Sequence, residues 1–350
     1  MNKPTTLLTF AVGILLLLSF RNGFAQEKPA KVVCIAFYNI ENLFDTIDSP
    51  DTDDKEFLPS ATGKWNRERY HTKLQHLAEV INQIGSEETK DGPALAGLAE
   101  VENRGVLEEL VTTPPLASRN YAFVHYESPD KRGIDVALIY QPKFFKVLES
   151  KPVPLLIRDN PDFRTRDVLL VHGLLNGESL YVMVTHWPSR GGDKVSAPLR
   201  AAAADLCRTT ADSLRKINPV AKILIMGDLN DDPVDESLML HLKTATTPDN
   251  VADSSFFNPM WQLFKNGEGT LDYKNAWNLF DQIIISGTFI RKKPDKSYRY
   301  MTAKIFKKDF LIQQDGQFAG YPLRTFGGKK YLGGYSDHLP VYILLVRGKK

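Results

Sequence analysis

Apolar positions along the chain recur in two periods, and the alternation between them predicts the order of its elements. Val32–Tyr38 (VVCIAFY) is a short β-branched apolar run that reads as a buried strand. The stretch from Asp45 to Lys64 is polar and rich in Asp, Pro and Thr, which predicts a loop. Tyr70, Leu74, Leu77, Ala78, Ile81 and Ile84 then fall at helical spacing, with Gly85 placed to end the helix. Ala94–Val101 returns to strand character, and Val106–Val111 is a short helix stopped by Pro114-Pro115. Strands follow over Tyr121–Tyr126, Ile134–Tyr140, Val168–Leu175 and Leu180–Thr185, the last two joined by a hairpin at Asn176-Gly177. Leu199–Ile217 is Ala-rich and helical, and Ala221–Met226, Gln282–Ser286 and Val341–Val346 are further strands.

The strands come in groups with few helices between them, which argues against a strictly alternating βαβ fold. Two sheets packed together with helices outside fit the pattern better. No Ser/Gly-rich linker divides the chain, so residues 26–350 read as one domain, with less regular surface segments at 236–276 and 290–335.

The N-terminus departs from this pattern. Lys3 precedes the apolar run Leu7–Phe20, and Gly23-Phe24-Ala25 offers the small residues that a signal peptidase accepts. The run is shorter than the roughly 20 residues that span a bilayer. Residues 1–25 are therefore expected to be a signal peptide, exporting the chain to a periplasmic or extracellular space.

Composition narrows the class further. A chain of 350 residues with 43% hydrophobic and 25% charged residues and 2 cysteines is neither disordered nor a disulfide framework. In an oxidising compartment Cys34 and Cys207 have the option of pairing; as members of a strand-like and a helix-like run they also read as buried small hydrophobes. The formal net charge is +2, but Lys3 and Arg21 are the only charged residues before position 26, so the mature chain is formally neutral. A nuclease that grips a duplex usually carries basic excess, and that excess is missing overall. Basic stretches remain at Arg291-Lys292-Lys293 to Arg299 and Arg324 to Lys330.

Chemistry concentrates where apolar runs end. Tyr38-Asn39-Ile40-Glu41-Asn42, Ala99-Glu100-Val101-Glu102-Asn103, Thr185-His186-Trp187 and Gly227-Asp228-Leu229-Asn230 each follow a strand, while Asp281 and Ser336-Asp337-His338 each precede one. Such a set supplies carboxylates, carboxamides and two histidines without Cys/His spacing for zinc. Its hard oxygens suit Mg²⁺, with Mn²⁺ or Ca²⁺ as alternatives. Any one of these stops alone reads equally as a turn or a solvated loop acid, whereas the whole set in one chain points to a site.

The order Asn39, Glu100, His186, Asp228-Leu229-Asn230, Asp281, Ser336-Asp337-His338 resembles the endonuclease/exonuclease/phosphatase superfamily over residues 32–346. The resemblance implies a four-layer α/β/β/α sandwich of two mixed β-sheets flanked by helices, with a divalent metal at one sheet edge. It implies Glu100, Asn39 and Asp337 as metal residues. Asp228 and Asn230 would position the attacking water and the phosphate, His338 and its partner Asp281 would lie beside the scissile phosphate, and His186 would be a phosphate ligand or proton donor. The implied reaction is in-line attack of water on a phosphoester.

Two more residues are candidates for contact with the substrate phosphate. Asp135 lies in an apolar strand, where an unpaired carboxylate is costly, so it meets either the site or a partner such as Arg132. Arg190 contacts the phosphate or is a solvated loop arginine. Glu41 and Glu102 are expected to face away from the site by alternation. The substrate is a nucleic acid on the leading reading and a phosphorylated lipid or sugar on the second; a non-catalytic binding module is the third. No stable protein partner is indicated, and a monomer is expected.

Overall fold

The structure is a computed structural model that describes residues 31–348 apart from 159, 250, 274–275 and 291–295, so the expected leader and the 291–293 triplet lie outside the described residues. The chain lays down β1 (Lys31–Leu43), α1 (Arg67–Gln83), β2 (Pro93–Val101), α2 (Arg104–Thr112), β3 (Ala122–His125), β4 (Asp135–Tyr140), β5 (Phe145–Val153), β6 (Val168–Leu175), β7 (Glu178–His186), α3 (Asp193–Ile217) and β8 (Ile223–Asp228). After a π-helical turn at Ser237–Leu242 come β9 (Thr244–Ala245), β10 (Phe256–Phe257), α4 (Met260–Lys265), β11 (Leu271–Tyr273), β12 (Ala276–Asn278) and β13 (Asp281–Ser286). The chain closes with β14 (Arg299–Ile305), β15 (Phe326–Gly327), β16 (Lys330–Tyr331) and β17 (Val341–Arg347).

Two mixed sheets carry the fold. One has the order β14-β17-β1-β2-β4-β3 and the other β5-β6-β7-β8-β13-β10-β9. Strand alternation sorts the side chains into three apolar layers. Val33, Ile35 and Phe37 of β1 face Val182, Val184 and Leu224 across the gap between the sheets. Cys34, Ala36 and Tyr38 point the other way, under Leu74, Leu77 and Ile81 of α1. On the far side Met183, Ile223 and Ile225 pack under Ala203, Ala204 and Cys207 of α3. The result is a four-layer α/β/β/α sandwich, in which each fully buried Leu, Ile or Val contributes roughly 1.5–3 kcal/mol. Cys34 and Cys207 are free thiols buried in opposite outer layers, so they do not pair.

Local signals set the helix limits. The Asn66 side chain accepts from Arg69 N at 3.0 Å to start α1. Gly85 ends it at φ +63°, where a Cβ would meet Cys34 Sγ at 2.5 Å, so only glycine lets the chain turn this close to β1. α3 begins six residues earlier than its apolar period predicts, running through Pro198. The edge strands β5 and β14 have no counterpart in the sequence reading, and the segments 236–276 and 290–335 hold short strands and turns as well as loops.

Candidate active site

The site forms where β1, β2, β7 and β8 end. β8 pairs in parallel with β7 and antiparallel with β13, and the register sets His186 opposite Asp228 and Asp228 opposite Asp281. Three candidate residues thereby share one row across three strands. Gly227 permits the tight pairing, because a Cβ there would lie 2.1 Å from Thr185 O. The fourth member arrives from the other sheet. Ser336 Oγ donates to Asn39 O at 2.7 Å and accepts from His338 N at 3.1 Å, which locks the turn before β17 onto β1. Thr270 completes the link, its carbonyl accepting from Leu339 N at 2.8 Å and its hydroxyl from Asp281 N at 3.4 Å.

Glu100 reaches the site through irregular backbone. The β1–β2 register shifts between Asn39 and Leu43, and the β2–β4 register shifts between Ala99 and Val101. Glu41, Asn42 and Glu100 adopt φ of 50°, 50° and 66°, the left-handed region that costs a non-glycine residue of order 1–3 kcal/mol. These bulges rephase the strand ends, so that Leu98 and Val101 both face the helix layer while Ala99 faces the inter-sheet core. The Glu100 carboxylate thereby accepts from Asn42 N at 2.9 Å and Asn39 Nδ2 at 3.4 Å. Asn39 Nδ2 also donates to Asp228 Oδ2 at 3.0 Å, joining the metal candidates to the strand-end row.

The two histidines hold opposite charge states. Burial penalises a charged His338, but Asp281, Asp228 and Asp337 outweigh that penalty and hold it well above its ordinary value. Its Nδ1 donates to Asp281 Oδ2 at 2.7 Å, while its Nε2 lies 3.8 Å from Asp228 Oδ2 and 3.9 Å from Asp337 Oδ1. Burial, reinforced by the charges of Arg166 and Arg132, pushes His186 well below its ordinary value, so it is neutral. Its Nε2 lies 3.5 Å from Asp228 Oδ2, and its Nδ1 has no hydrogen-bond partner among the described residues. Burial raises Asp228 to about 7, with His338 pulling it down and Asp281 pushing it up. One imidazolium, one imidazole and a carboxylate poised near neutrality therefore meet at a single point.

The remaining candidates divide. Asn230, at φ 51°, donates from Nδ2 to Trp187 O at 3.0 Å and from its N–H to Asp228 Oδ1 at 3.0 Å. Asp337 is 27% exposed beside His338. The guanidinium of Arg190 is drawn to Asp235 at 2.7 Å, Asp232 at 3.3 Å and Asp231 at 3.5 Å, and stacks on Phe280. Asp135 is the first residue of β4, and its partner is His125 Nε2 at 2.9 Å together with Ser128 N at 2.8 Å, not Arg132. Arg132 instead donates to Asn42 Oδ1 at 2.5 Å. Glu102 turns to Asp45 N at 2.6 Å, and Glu41 to Thr325 N at 2.7 Å and Lys73 Nζ at 3.6 Å, though at the bulge Glu41 stays close enough to the site to feel the charge of Asp337. The sequence reading assigned no part to Ser336, Thr270 or the Asn42 N–H; a Ser two residues before His338 is the one signal it held.

The donor chemistry fits a hard divalent cation. Glu100, Asp228 and Asp337 offer carboxylate oxygens, and the buried Asp281 Oδ1 has no hydrogen-bond partner among the described residues, whereas Asn39 turns its Nδ2 to Glu100 and Asp228 and its Oδ1 accepts from Glu41 N at 3.0 Å. Ligand atoms of Asp228, Asp281 and His338 all lie within 4.8 Å of one another, but the protonated His338 binds Asp281 at 2.7 Å, so this group is an acid–imidazolium cluster and not itself a ligand set. A second such group, His125, Glu127 and Asp135, is taken up by its own internal contacts.

The family model described as Endonuclease/Exonuclease/phosphatase family matches residues 34–347. No curated protein sequence matches. Among solved structures, an endonuclease/exonuclease/phosphatase family protein from Bacteroides thetaiotaomicron aligns with a TM-score of 0.55 at 14% identity, covering 92% of this chain and 100% of that one. TDP2 from D. rerio, complexed with a single-strand DNA product, aligns with a TM-score of 0.52 at 15% identity over 90% and 98%. A mannosyl-6-phosphatase from Bacteroides thetaiotaomicron aligns with a TM-score of 0.53 at 14% identity over 89% and 99%.

Proposed function

We propose, from the premise that the chain belongs to the endonuclease/exonuclease/phosphatase family and is a phosphoester hydrolase, that it is a divalent-metal-dependent phosphodiesterase of nuclease type. The observation that carries the mechanism is the row His186, Asp228 and Asp281 closed by His338. Glu100 and Asp337 would hold Mg²⁺, with Asn39 fixing the Glu100 and Asp228 carboxylates through its Nδ2, and the ion when bound supplies Lewis-acid charge at the phosphoryl and leaving oxygens.

The chain's own groups do the rest. Asp228 orients the attacking water and accepts its proton, a task matched to a carboxyl raised to about 7. Asn230 fixes that carboxylate through its N–H. The His338 imidazolium, held by Asp281, donates to a non-bridging phosphate oxygen as charge builds there. Neutral His186 flanks Asp228 and bears on the same phosphate. Attack forms the new P–O bond as the bond to the leaving oxygen breaks; the water proton passes to Asp228, and the leaving oxygen takes a proton from solvent, which Asp228 returns when it ionises again.

A substrate panel tests the reading. The purified chain is assayed with Mg²⁺, Mn²⁺ or Ca²⁺ on plasmid DNA, RNA, sphingomyelin, inositol phosphates and mannose 6-phosphate, beside Glu100→Gln and His338→Ala. Expected is metal-dependent cleavage of nucleic acid, lost in both variants. Turnover confined to a lipid or sugar phosphate would replace the nuclease assignment, and variants as active as the parent would remove the site assignment. Export is proposed with it: in cell fractionation, the mature protein should begin at Gln26 outside the cytoplasm.

A further inference from the structure

A cavity of about 530 Å³ opens beside the site. Its walls are the 3₁₀ turn Lys55–Phe57 and the hairpin of β15 and β16, in which Phe326 pairs with Tyr331. Its floor is Glu41 and Asn42. Asn42 is the connection to the chemistry, because its N–H donates to Glu100 Oε2 at 2.9 Å. A group occupying this cavity lies one residue from a carboxylate assigned to the metal.

The lining says what that group is. Three polar atoms of the lining are already engaged: Glu41 Oε2 accepts from Thr325 N, Thr325 Oγ1 accepts from Lys73 Nζ at 2.7 Å, and Asn42 Oδ1 accepts from Arg132. A pyranose would have to break such bonds to satisfy its hydroxyls. The ring walls carry no such cost. Phe57 stacks on Phe44 at 4.2 Å with the planes 3° apart and meets Trp65 edge-on at 6.3 Å. Phe326 is braced by Trp65 at 5.8 Å and Tyr331 at 5.5 Å. Both rings are only half-buried, so they offer preset surface to an incoming ring with little rotamer entropy left to lose. Lys55 and Lys329 are exposed on the lining with the charge to meet a phosphate adjoining that ring, while Glu56 beside Lys55 and Glu41 on the floor leave the lining without net charge.

We propose that this cavity is a nucleobase subsite, which receives the base next to the scissile phosphate between the Phe57 and Phe326 walls. The inference rests on the nuclease-type reading and names where that substrate's specificity resides. Sequence preference would then follow stacking strength more than hydrogen-bond readout.

The test is binding without turnover. AMP and ribose 5-phosphate are titrated by calorimetry into the full chain in the presence of a chelator. Expected is AMP binding about ten-fold tighter or more, the effect of stacking one base on aromatic walls. In Phe326→Leu and Phe57→Leu, which keep apolar volume but remove the ring, that ratio should fall to about three-fold or less. Tyr181→Leu, on the far face against His172, is the control and should keep it. Equal binding of the two ligands, a ratio unchanged in both variants, or tighter binding of mannose 6-phosphate than of AMP would overturn the subsite. Cleavage of DNA and RNA on the same preparations, with metal restored, separates the two claims: base selectivity reads the subsite, and turnover reads the nuclease assignment.

Discussion

The two ends of the sandwich treat charge in opposite ways. At the far end, where β1 begins and the β6–β7 hairpin turns at Asn176-Gly177, Glu178 accepts from Tyr298 N at 2.9 Å and faces Lys222 at 3.0 Å and Arg347 at 3.7 Å. Acid is matched to base there, and the hairpin takes its positive φ at an Asn and a Gly. At the site end, Asp228, Asp281 and Asp337 crowd one imidazolium, and Glu41, Asn42, Glu100 and Asn230 all sit at positive φ. One end is arranged for stability. The other holds strain and like charge that a substrate and a cation can relieve, the usual stability–activity trade.

Neutralising Asp228 tests this contrast hardest. In Asp228→Asn, kcat should fall by about 10³-fold or more, since both the proton acceptor and the water's orientation are lost. The metal-free variant should nevertheless melt higher than the parent. The sign follows from linkage. Burial lifts Asp228 to about 7 against an ordinary 3.8, so the stability it lends is full below about pH 4 and lost as pH rises through 7, an effect partly offset because the same carboxylate helps hold His338 charged. The gain in Tm should therefore be greatest near pH 8 and shrink toward pH 4, as followed by thermal melts in a chelator. A variant that melts lower at pH 8 would mean the site end is not the strained one.

Ser336→Ala should act on both properties. Removing the hydroxyl that bridges Asn39 O and His338 N leaves buried groups unpaired, at a cost of about 1–3 kcal/mol in denaturant unfolding. It also loosens His338 against Asp281, for which about a ten-fold loss of kcat is expected. Full activity in a destabilised variant would show that other contacts fix the imidazole. Glu178→Gln should do least: a loss of under about 1 kcal/mol, smaller still at high salt, with kinetics unchanged. A fall in kcat would show the two ends to be coupled.

What the sequence made legible follows the same division. Strands buried on both faces, such as Val32–Tyr38 and the Ile223–Met226 part of β8, announce themselves because their residues are apolar without a break. β5 (FKVLESKPV) does not, since an edge strand open to solvent carries Lys, Glu and Pro like a loop. The start of α3 was hidden by Pro198, ordinarily a breaker, which this helix carries in its second turn. Site residues at strand ends stood out as polar stops after apolar runs. Their partners did not: the His125 beside Asp135 and the three carboxylates around Arg190 are set by tertiary packing that no spacing encodes. Lys73 is the sharpest case, a lysine inside a helical apolar face whose reach to Thr325 and to Tyr335 O depends on a loop some 250 residues away.

The row across β7, β8 and β13 has a further consequence for how such a protein can change. His186, Asp228 and Asp281 are aligned by strand register, so a one-residue insertion within any of the three strands would turn a member of the row out of the site. The loops carrying Phe57 and Phe326 belong to none of these strands. If the proposed subsite holds, its ring walls lie outside the strands of the row, and exchanging Phe57 and Phe326 should change substrate choice with little effect on the row, while Thr325, which binds Glu41, must be kept.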